Sequence, residues 1–485
     1  MAIMVLSTLL ILSSFSSILI LGLADADEFE PKYIHLSWAR NDVYHTITIV
    51  WWTKYWTWSK VYYDTVPHED IKDYAHVAIG THYRICAYQK CFEGWYHEVT
   101  LRNLRPGTTY YFRVRGVFGT YSDEYKFRTI AIGQKVKFVV SGDDRRPWGG
   151  GYEIKVSPTA ISNWPWARDW VTVTAASESP DFVIFTGDMV NEGNNQEFWN
   201  DWLEMMQEKL VTDCEKIDDR EVCRLIPIVA VIGNHEMGAY PNVESTYAWF
   251  RGIFANPENG PSGFEEVAYS LDFPNLHLTV LATTGGCVAT WWDPMEKEVL
   301  GQLEWLKEDL ASSDAEWKIV AFHVPYYSCY VTGTGYPSEL ILKYWAPIIE
   351  DPSYGVDLVV NGHVHNYMRS WPVKTIRVEE VEVDKPWTKY GYKAVYDLVA
   401  DSSKAVTYVV AGTWGAPTDP YEKGAACDIR DYMASAYARP GYLLINVTEG
   451  SLTGAFKDTL KTVLDEFTLP YTAATFPTPE YNSRV

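Results

Sequence analysis

Positive charge is scarce in this chain: 41 Lys and Arg stand against 63 Asp and Glu, for a net charge of -22. Such a surface repels nucleic acid and anionic membranes, so neither is expected as the main partner and no nucleic-acid-binding module is read. A phosphate-bearing substrate would need local positive charge, which bound metal ions could supply. Beyond Leu23 no apolar stretch approaches membrane length, so no span is expected past the N-terminal segment. Cysteine is sparse, seven in 485 residues, and no pair has C-x2-C spacing. A zinc-binding Cys cluster is thereby set aside. No internal repeat is found.

What is present suits an exported protein of two domains. The run from Ile3 through Leu23 is uncharged and mostly apolar and leads into Ala24-Asp25-Ala26, an A-x-A-like cleavage site. Residues 1–26 are read as a signal peptide and the protein as secreted or cell-surface. No Lys or Arg precedes Lys32, so an uncleaved anchor stays open as the alternative. In an exported chain, Cys86 with Cys91 and Cys214 with Cys223 make plausible local disulfides. The second pair flanks the polar loop EKIDDREV. Cys287 with Cys329 is the preferred third pair, leaving Cys427 over. Asn446-Val447-Thr448 is the only glycosylation sequon. Twenty-one Trp and 34 Tyr are many, and core and domain-interface packing is their main expected use.

Residues 27–131 read as all-β. Thr46-Ile47-Thr48-Ile49 and Tyr111-Phe112-Arg113-Val114-Arg115 alternate, and Leu104-Arg105-Pro106-Gly107 makes a turn. This unit, with its L-x-P-G-T-x-Y-x-F-R-V pattern, is similar to fibronectin type III sandwiches. Its six histidines (His35, His45, His68, His76, His82 and His97) lack ligand spacing and are given no metal role. Ala131-Ile132-Gly133 reads as the hinge. Over 132–469 strands alternate with helical stretches, as in a layered α/β domain. The spacing predicts helices over 195–210 and 296–310. Residues 374–405 look like an insertion or extended hairpin, and 470–485 like a loosely held tail.

Five apolar runs in this part end in metal-ligand residue types. KFVVSGD ends at Asp143, DFVIFTGD at Asp188, IPIVAVIGNH at Asn234 and His235, WKIVAFH at His323, and VDLVVNGHVH carries His363 and His365. Val/Ile-rich runs without alternation read as strands buried on both faces of a parallel sheet. Ligands gather at the carboxyl ends of such strands, so these residues are expected at one edge of one sheet. Hydrolysing a phosphate ester takes an activated water and charge neutralisation, which a metal pair supplies together. Asp188 is the natural bridge. Asp143 serves one metal, Asn234, His323 and His363 the other, and His365 turns back to the first. In GHVH the two imidazoles lie on one side if the segment is extended. The Gly before each of Asp143, Asp188, Asn234 and His363 allows close approach.

At these residues the chain resembles the calcineurin-like metallophosphoesterases, and among them the purple acid phosphatases. The family pattern runs GD, GDxxY, GNH followed by Glu or Asp, H, and GHxH; here stand SGD, GDMVN, GNHE, AFHVPYY and NGHVH. GHVHNYMRSWPV and QLEWLKEDLASSDAEWKIVAFHVPYY are similar to the family's surrounding segments. The resemblance implies a four-layer αββα catalytic domain behind a fibronectin-like one. It makes His235 a substrate contact that protonates the leaving group, with a third metal ligand as the alternative role. Arg145 or Arg146 is a candidate fork for the phosphate, with an outward, solvent-exposed position as the equal alternative. Glu236 is read as an orienting neighbour and Arg369 as structural.

One departure matters. The Tyr that binds iron in purple members falls at Asn191 here, and Arg145 stands where non-purple members place a His. A colourless enzyme with two divalent or trivalent ions (Fe, Zn or Mn) is expected. The expected activity is hydrolysis of small phosphate monoesters by a metal-bound hydroxide, with diester or nucleotide hydrolysis as the alternative. A cell-surface binding protein with a vestigial site is the reading from another class. Oligomeric state is not legible.

Overall fold

The computed structural model describes residues 26–87, 90–133, 135–145, 167–237, 243–284, 292–328, 337–385, 388–399, 405–418 and 432–471. Most of the expected leader, Arg146, Cys287, Cys329, Cys427 and nearly all of the expected tail lie outside them.

Alternating side chains build the N-terminal part. In Thr109–Val114 every second residue is buried, so one face of the strand is apolar. That strand lies in a six-stranded sheet with Tyr125–Arg128, Lys60–Asp64 and His76–Ile79; Lys32–Ser37, Ile47–Thr53, Trp95–Leu101 and Thr81–Tyr83 form a four-stranded one. Ile49, Trp51, Val99 and Leu101 from one sheet share a core with Val61, Phe112 and Val114 from the other. The result is a sandwich, as the fibronectin-like pattern implied. The six-stranded sheet is completed by strands from far along the chain. Val211–Ile217 and Arg220–Leu225 form a hairpin, closed by a Cys214–Cys223 disulfide, and Arg220–Leu225 runs parallel to Tyr125–Arg128. The stretch read as a polar loop is therefore a strand pair. The second expected disulfide, Cys86–Cys91, is also formed.

The α/β part has two sheets, not one. Ile228–Ala230, Phe182–Phe185 and Val136–Ser141 are parallel neighbours, followed by antiparallel Gly441–Thr448, Ser451–Asp458 and Val463–Leu469. The second sheet runs Tyr269–Phe273, Leu276–Val280, Trp317–Ala321, Leu358–Asn361, Thr407–Ala411, Tyr367–Ser370, Met433–Tyr437, with its middle four strands parallel. Phe138, Val140, Phe182 and Ile184 point inward against Leu278, Ile319, Ala321 and Val360. The alternate residues Val139, Val183 and Phe185 point outward to the helices Ala167–Ala176, Gln196–Lys209 and Val243–Ile253. Val320 and Val359 likewise meet Leu306 and Leu310 of helix Leu303–Ser312 and Leu340 of helix Pro337–Tyr344. Strands buried on both faces thus give four layers, αββα.

Two expected helices differ in outcome. Residues 196–209 form a helix capped by the Asn195 side chain on Glu197 N–H. The 296–310 stretch is instead two helices, Trp292–Gly301 and Leu303–Ser312, broken at Gln302. The buried Gln302 amide is taken by the main chain of Ala282, donating at 2.9 Å and accepting at 2.8 Å. Residues Val373–Lys385 and Thr388–Leu398 form the long hairpin anticipated there. Arg369 is buried and forks onto Asp465 at 2.6 and 2.9 Å, tying the two sheets together.

His277 fixes the helix layer to the second sheet, bonding Asp272 at 2.7 Å and Asp309 at 3.0 Å. Burial alone would lower its pKa, but these carboxylates hold it up at about 9. A base whose folded pKa lies above the ordinary 6.5 adds stability fully present below that pH and lost as pH rises through about 9. His277→Gln is expected to flatten the fall in Tm across that window, removing on the order of 2 kcal/mol once the half-exposed Asp272 is allowed for. An unchanged Tm profile between the two proteins would contradict it.

Candidate metal centre

Each parallel strand stops just short of its functional residue. Val136–Ser141 precedes Asp143, Phe182–Phe185 precedes Asp188, and Ile228–Ala230 precedes Asn234; from the second sheet, Trp317–Ala321 precedes His323 and Leu358–Asn361 precedes His363. Both sheets therefore end their parallel strands on the same side, and the expectation of a single sheet edge is corrected to two facing edges. The chain turns sharply there: Asp143, Asp188 and His363 have φ of 61, 53 and 69°. Left-handed backbone in non-glycine residues costs about 1 kcal/mol or more each, and it clusters where function demands it. GHVH is consequently turned rather than extended, yet it still aims its two imidazoles at neighbouring positions. A Cβ on Gly233 would strike Asp188 Oδ1 at 2.4 Å, and one on Gly362 would strike Asp143 Oδ2 at 2.6 Å. What those glycines let in is the carboxylates themselves.

Donor atoms converge around Asp188. Among the described residues, Asp188, His323 and His363 form a group whose donor atoms all lie within 4.8 Å of one another. Asn234 Oδ1 sits 2.9 Å from His323 Nε2 and 2.8 Å from His363 Nδ1. His323 Nε2 is 3.2 Å from Asp188 Oδ1. On the other flank, His365 Nε2 lies 3.5 Å from Asp143 Oδ1, a buried oxygen without a hydrogen-bond partner among the described residues. Arg145 Nη1 is 3.4 Å from the same His365 nitrogen.

The ring orientations are set by main-chain carbonyls. His323 Nδ1 meets Thr186 O at 2.7 Å, His365 Nδ1 meets Pro417 O at 2.9 Å, and His235 Nδ1 meets Asn191 O at 2.7 Å. A proton on each Nδ1 leaves Nε2 as the ligand-side atom. No side-chain type marks Thr186 or Pro417 for this task, so sequence reasoning missed both. Glu236 is buried and accepts N–H bonds from Gly233 (2.7 Å), Asp188 (2.9 Å) and Met189 (2.8 Å), which fixes the loop carrying Asp188.

Charge is balanced inside the cluster. Burial alone would raise the Asp188 carboxyl, but His323 and His235 hold it well below the usual carboxylate range. Burial would likewise lower His323, yet Asp188 raises it to about 9. Burial and the charge of His323 push His363 down to about 3. Asp188 and His323 thus offset each other's charge, and oxygen and imidazole donors of this kind suit a hard or borderline cation, which would displace any proton from His323 Nε2.

Fold and strand-end donors together define a calcineurin-like phosphoesterase domain, and the family of that description matches residues 162–367. Ahead of it, the family described as purple acid phosphatase, N-terminal domain, matches residues 31–129. The chain thus carries a calcineurin-like phosphoesterase domain behind a purple acid phosphatase N-terminal domain, and its homologues include purple acid phosphatases. It is 24% identical over 289 residues to purple acid phosphatase 21 of Arabidopsis thaliana, covering 58% of this chain and 54% of the relative. Purple acid phosphatase 15 of the same plant is 26% identical over 292 residues, covering 57% and 50%. The chain thus spans about half the length of these curated relatives. Its fold is similar to that of purple acid phosphatase PPD1 from yellow lupin (Lupinus luteus) seeds, with a TM-score of 0.65, 18% identity and coverage of 94% and 78%. The family implies a dinuclear metal centre. The Asn234 flank of Asp188 fits such an ion well; among the described residues the Asp143 flank gathers fewer donors, and Asn191 stands there in the position of the iron-binding Tyr.

Proposed function

We propose that this protein is an exported metal-dependent hydrolase of small phosphate monoesters. The convergence of Asp188, Asn234, His323 and His363 carries the reading. Those four residues would hold one ion, and Asp143, Asp188 and His365 are left for the second position the family implies. Bound there, Fe, Zn or Mn would acidify a water and neutralise charge on the phosphoryl oxygens. Asn234 and His235 border the space an ester would enter. His235 Nε2 lies 3.9 Å from Asp188 Oδ2, and Nδ1 is engaged by Asn191 O. A proton carried on Nε2 faces the Asp188 side of the site and can be given to the departing oxygen.

The N-terminal apolar run and the two disulfides support export. No helix among the described residues is long and apolar enough to cross a membrane. Diester hydrolysis is the second reading, favoured by Asn191 in place of the Tyr and by Arg145 in the first motif. Rates on p-nitrophenyl phosphate and its bis-ester, with added Mn, Zn or Fe, separate the two. Turnover that survives exhaustive chelation would sink both, and stoichiometric metal without turnover on any ester would favour a binding protein. With Asn191 unable to form a phenolate–iron bond, the holoenzyme is expected to be colourless. A charge-transfer band in its visible absorption spectrum would contradict that.

A further inference from the structure

The two flanks of Asp188 are unequally furnished. On one, a carboxylate, an amide and two imidazoles point at a common space. Among the described residues the other offers Asp143 Oδ1 and His365 Nε2 beside the shared Asp188, and the position of the iron-binding Tyr is held by Asn191, whose main-chain oxygen is engaged by His235. Where a cation would rest on that flank, a cationic side chain is at hand: Arg145 Nη1 approaches His365 Nε2 to 3.4 Å.

The backbone holds Arg145 there. Asp143 N–H bonds Gly187 O at 2.9 Å and Asp144 N–H bonds Asp188 O at 3.1 Å, so the segment is laced to the loop of the bridging Asp. Arg145 itself has a φ of 34°, an unfavourable value for a long side chain. A guanidinium does not lose its proton in proteins, and it presents a rigid fork of N–H donors. It can neutralise phosphoryl oxygens but cannot acidify a water. A divalent ion placed against His365 would meet that positive charge at contact range.

We propose that Arg145 takes the place of the second cation, so that the chain works with one tightly held ion at Asp188–Asn234–His323–His363 and a guanidinium against His365. An ion held by those four residues would supply an activated water, and the guanidinium would grip the phosphoryl oxygens. This inference deepens the phosphoester reading and rests on it.

Metal content of the purified holoprotein, by elemental analysis, and calorimetric titration of the chelated protein with Zn and Mn provide the test. The wild type is expected to bind one tight ion per chain. Arg145→His, which removes the charge and adds a nitrogen donor, is expected to bind two, while Arg145→Lys stays at one. Arg145→Ala should raise the KM for p-nitrophenyl phosphate and weaken inhibition by inorganic phosphate by roughly tenfold or more, with Tm unchanged. Two tight ions in an active wild type would overturn the inference and leave the phosphoester reading standing. Arg145→His still binding one ion, or an unchanged KM in Arg145→Ala, would also overturn it. A wild type that binds no ion would sink both.

Discussion

Asp188→Ala is expected to strip the protein of its metal and of its activity together, with a loss in kcat/KM of at least ~1,000-fold, since water activation and charge neutralisation depend on the same ion. Asp188 is the residue on which both flanks depend. Its Oδ1 receives the His235 N–H at 2.9 Å and faces His323 Nε2 at 3.2 Å, and it is almost fully buried. Asp188→Asn keeps an acceptor for that N–H while removing the charge, so it separates the electrostatic role from the positioning one. Both variants are read by elemental analysis, turnover of p-nitrophenyl phosphate and Tm. Stoichiometric metal retained in Asp188→Ala would show that the convergence of His323, His363 and Asn234 suffices by itself, and the central role given to Asp188 would fail.

His235→Ala is expected to do the opposite: keep the metal and lose rate. His235 lies near the carboxylate without joining the donor cluster, and its Nδ1 is occupied by Asn191 O. A general acid contributes about 100- to 10,000-fold, most where the leaving oxygen needs a proton. The loss should therefore be large on an alkyl phosphate and small on p-nitrophenyl phosphate, whose leaving group departs well unprotonated. Equal losses on both substrates would remove the proton-donor role. Loss of the metal would make His235 a ligand instead.

The strand ends were legible because strands covered on both faces are written as unbroken Val/Ile runs, and because the residues that follow them are of ligand type. Which sheet each strand joins was not legible. Parallel pairing links Phe182–Phe185 to Ile228–Ala230 across more than forty residues, and nothing local separates that sheet from the one holding Trp317–Ala321. The break at Gln302 was hidden for a related reason: the apolar spacing continues through it, Gly301 is its one local sign, and the Gln302 amide bonds the distant Ala282 main chain. The left-handed turn at His363 has no signature beyond its preceding glycine. Arg145 is the sharpest case. In the sequence it could equally reach substrate or solvent; only the folded loop lays it against His365.

Matched segments suggest a cut near the Ala131–Gly133 connection, yet the hairpin of Val211–Ile217 and Arg220–Leu225 crosses it. Glu215, on that hairpin, takes Lys126 Nζ at 2.7 Å and Tyr111 OH at 2.9 Å, and Arg220 reaches Glu124 at 2.9 Å. The amino-terminal sandwich thus borrows two of its strands from beyond the hinge. Severed at the hinge, each piece would expose a raw β-edge, and such edges recruit other molecules. The unit of heredity and the unit of mechanical integrity do not coincide in this polypeptide.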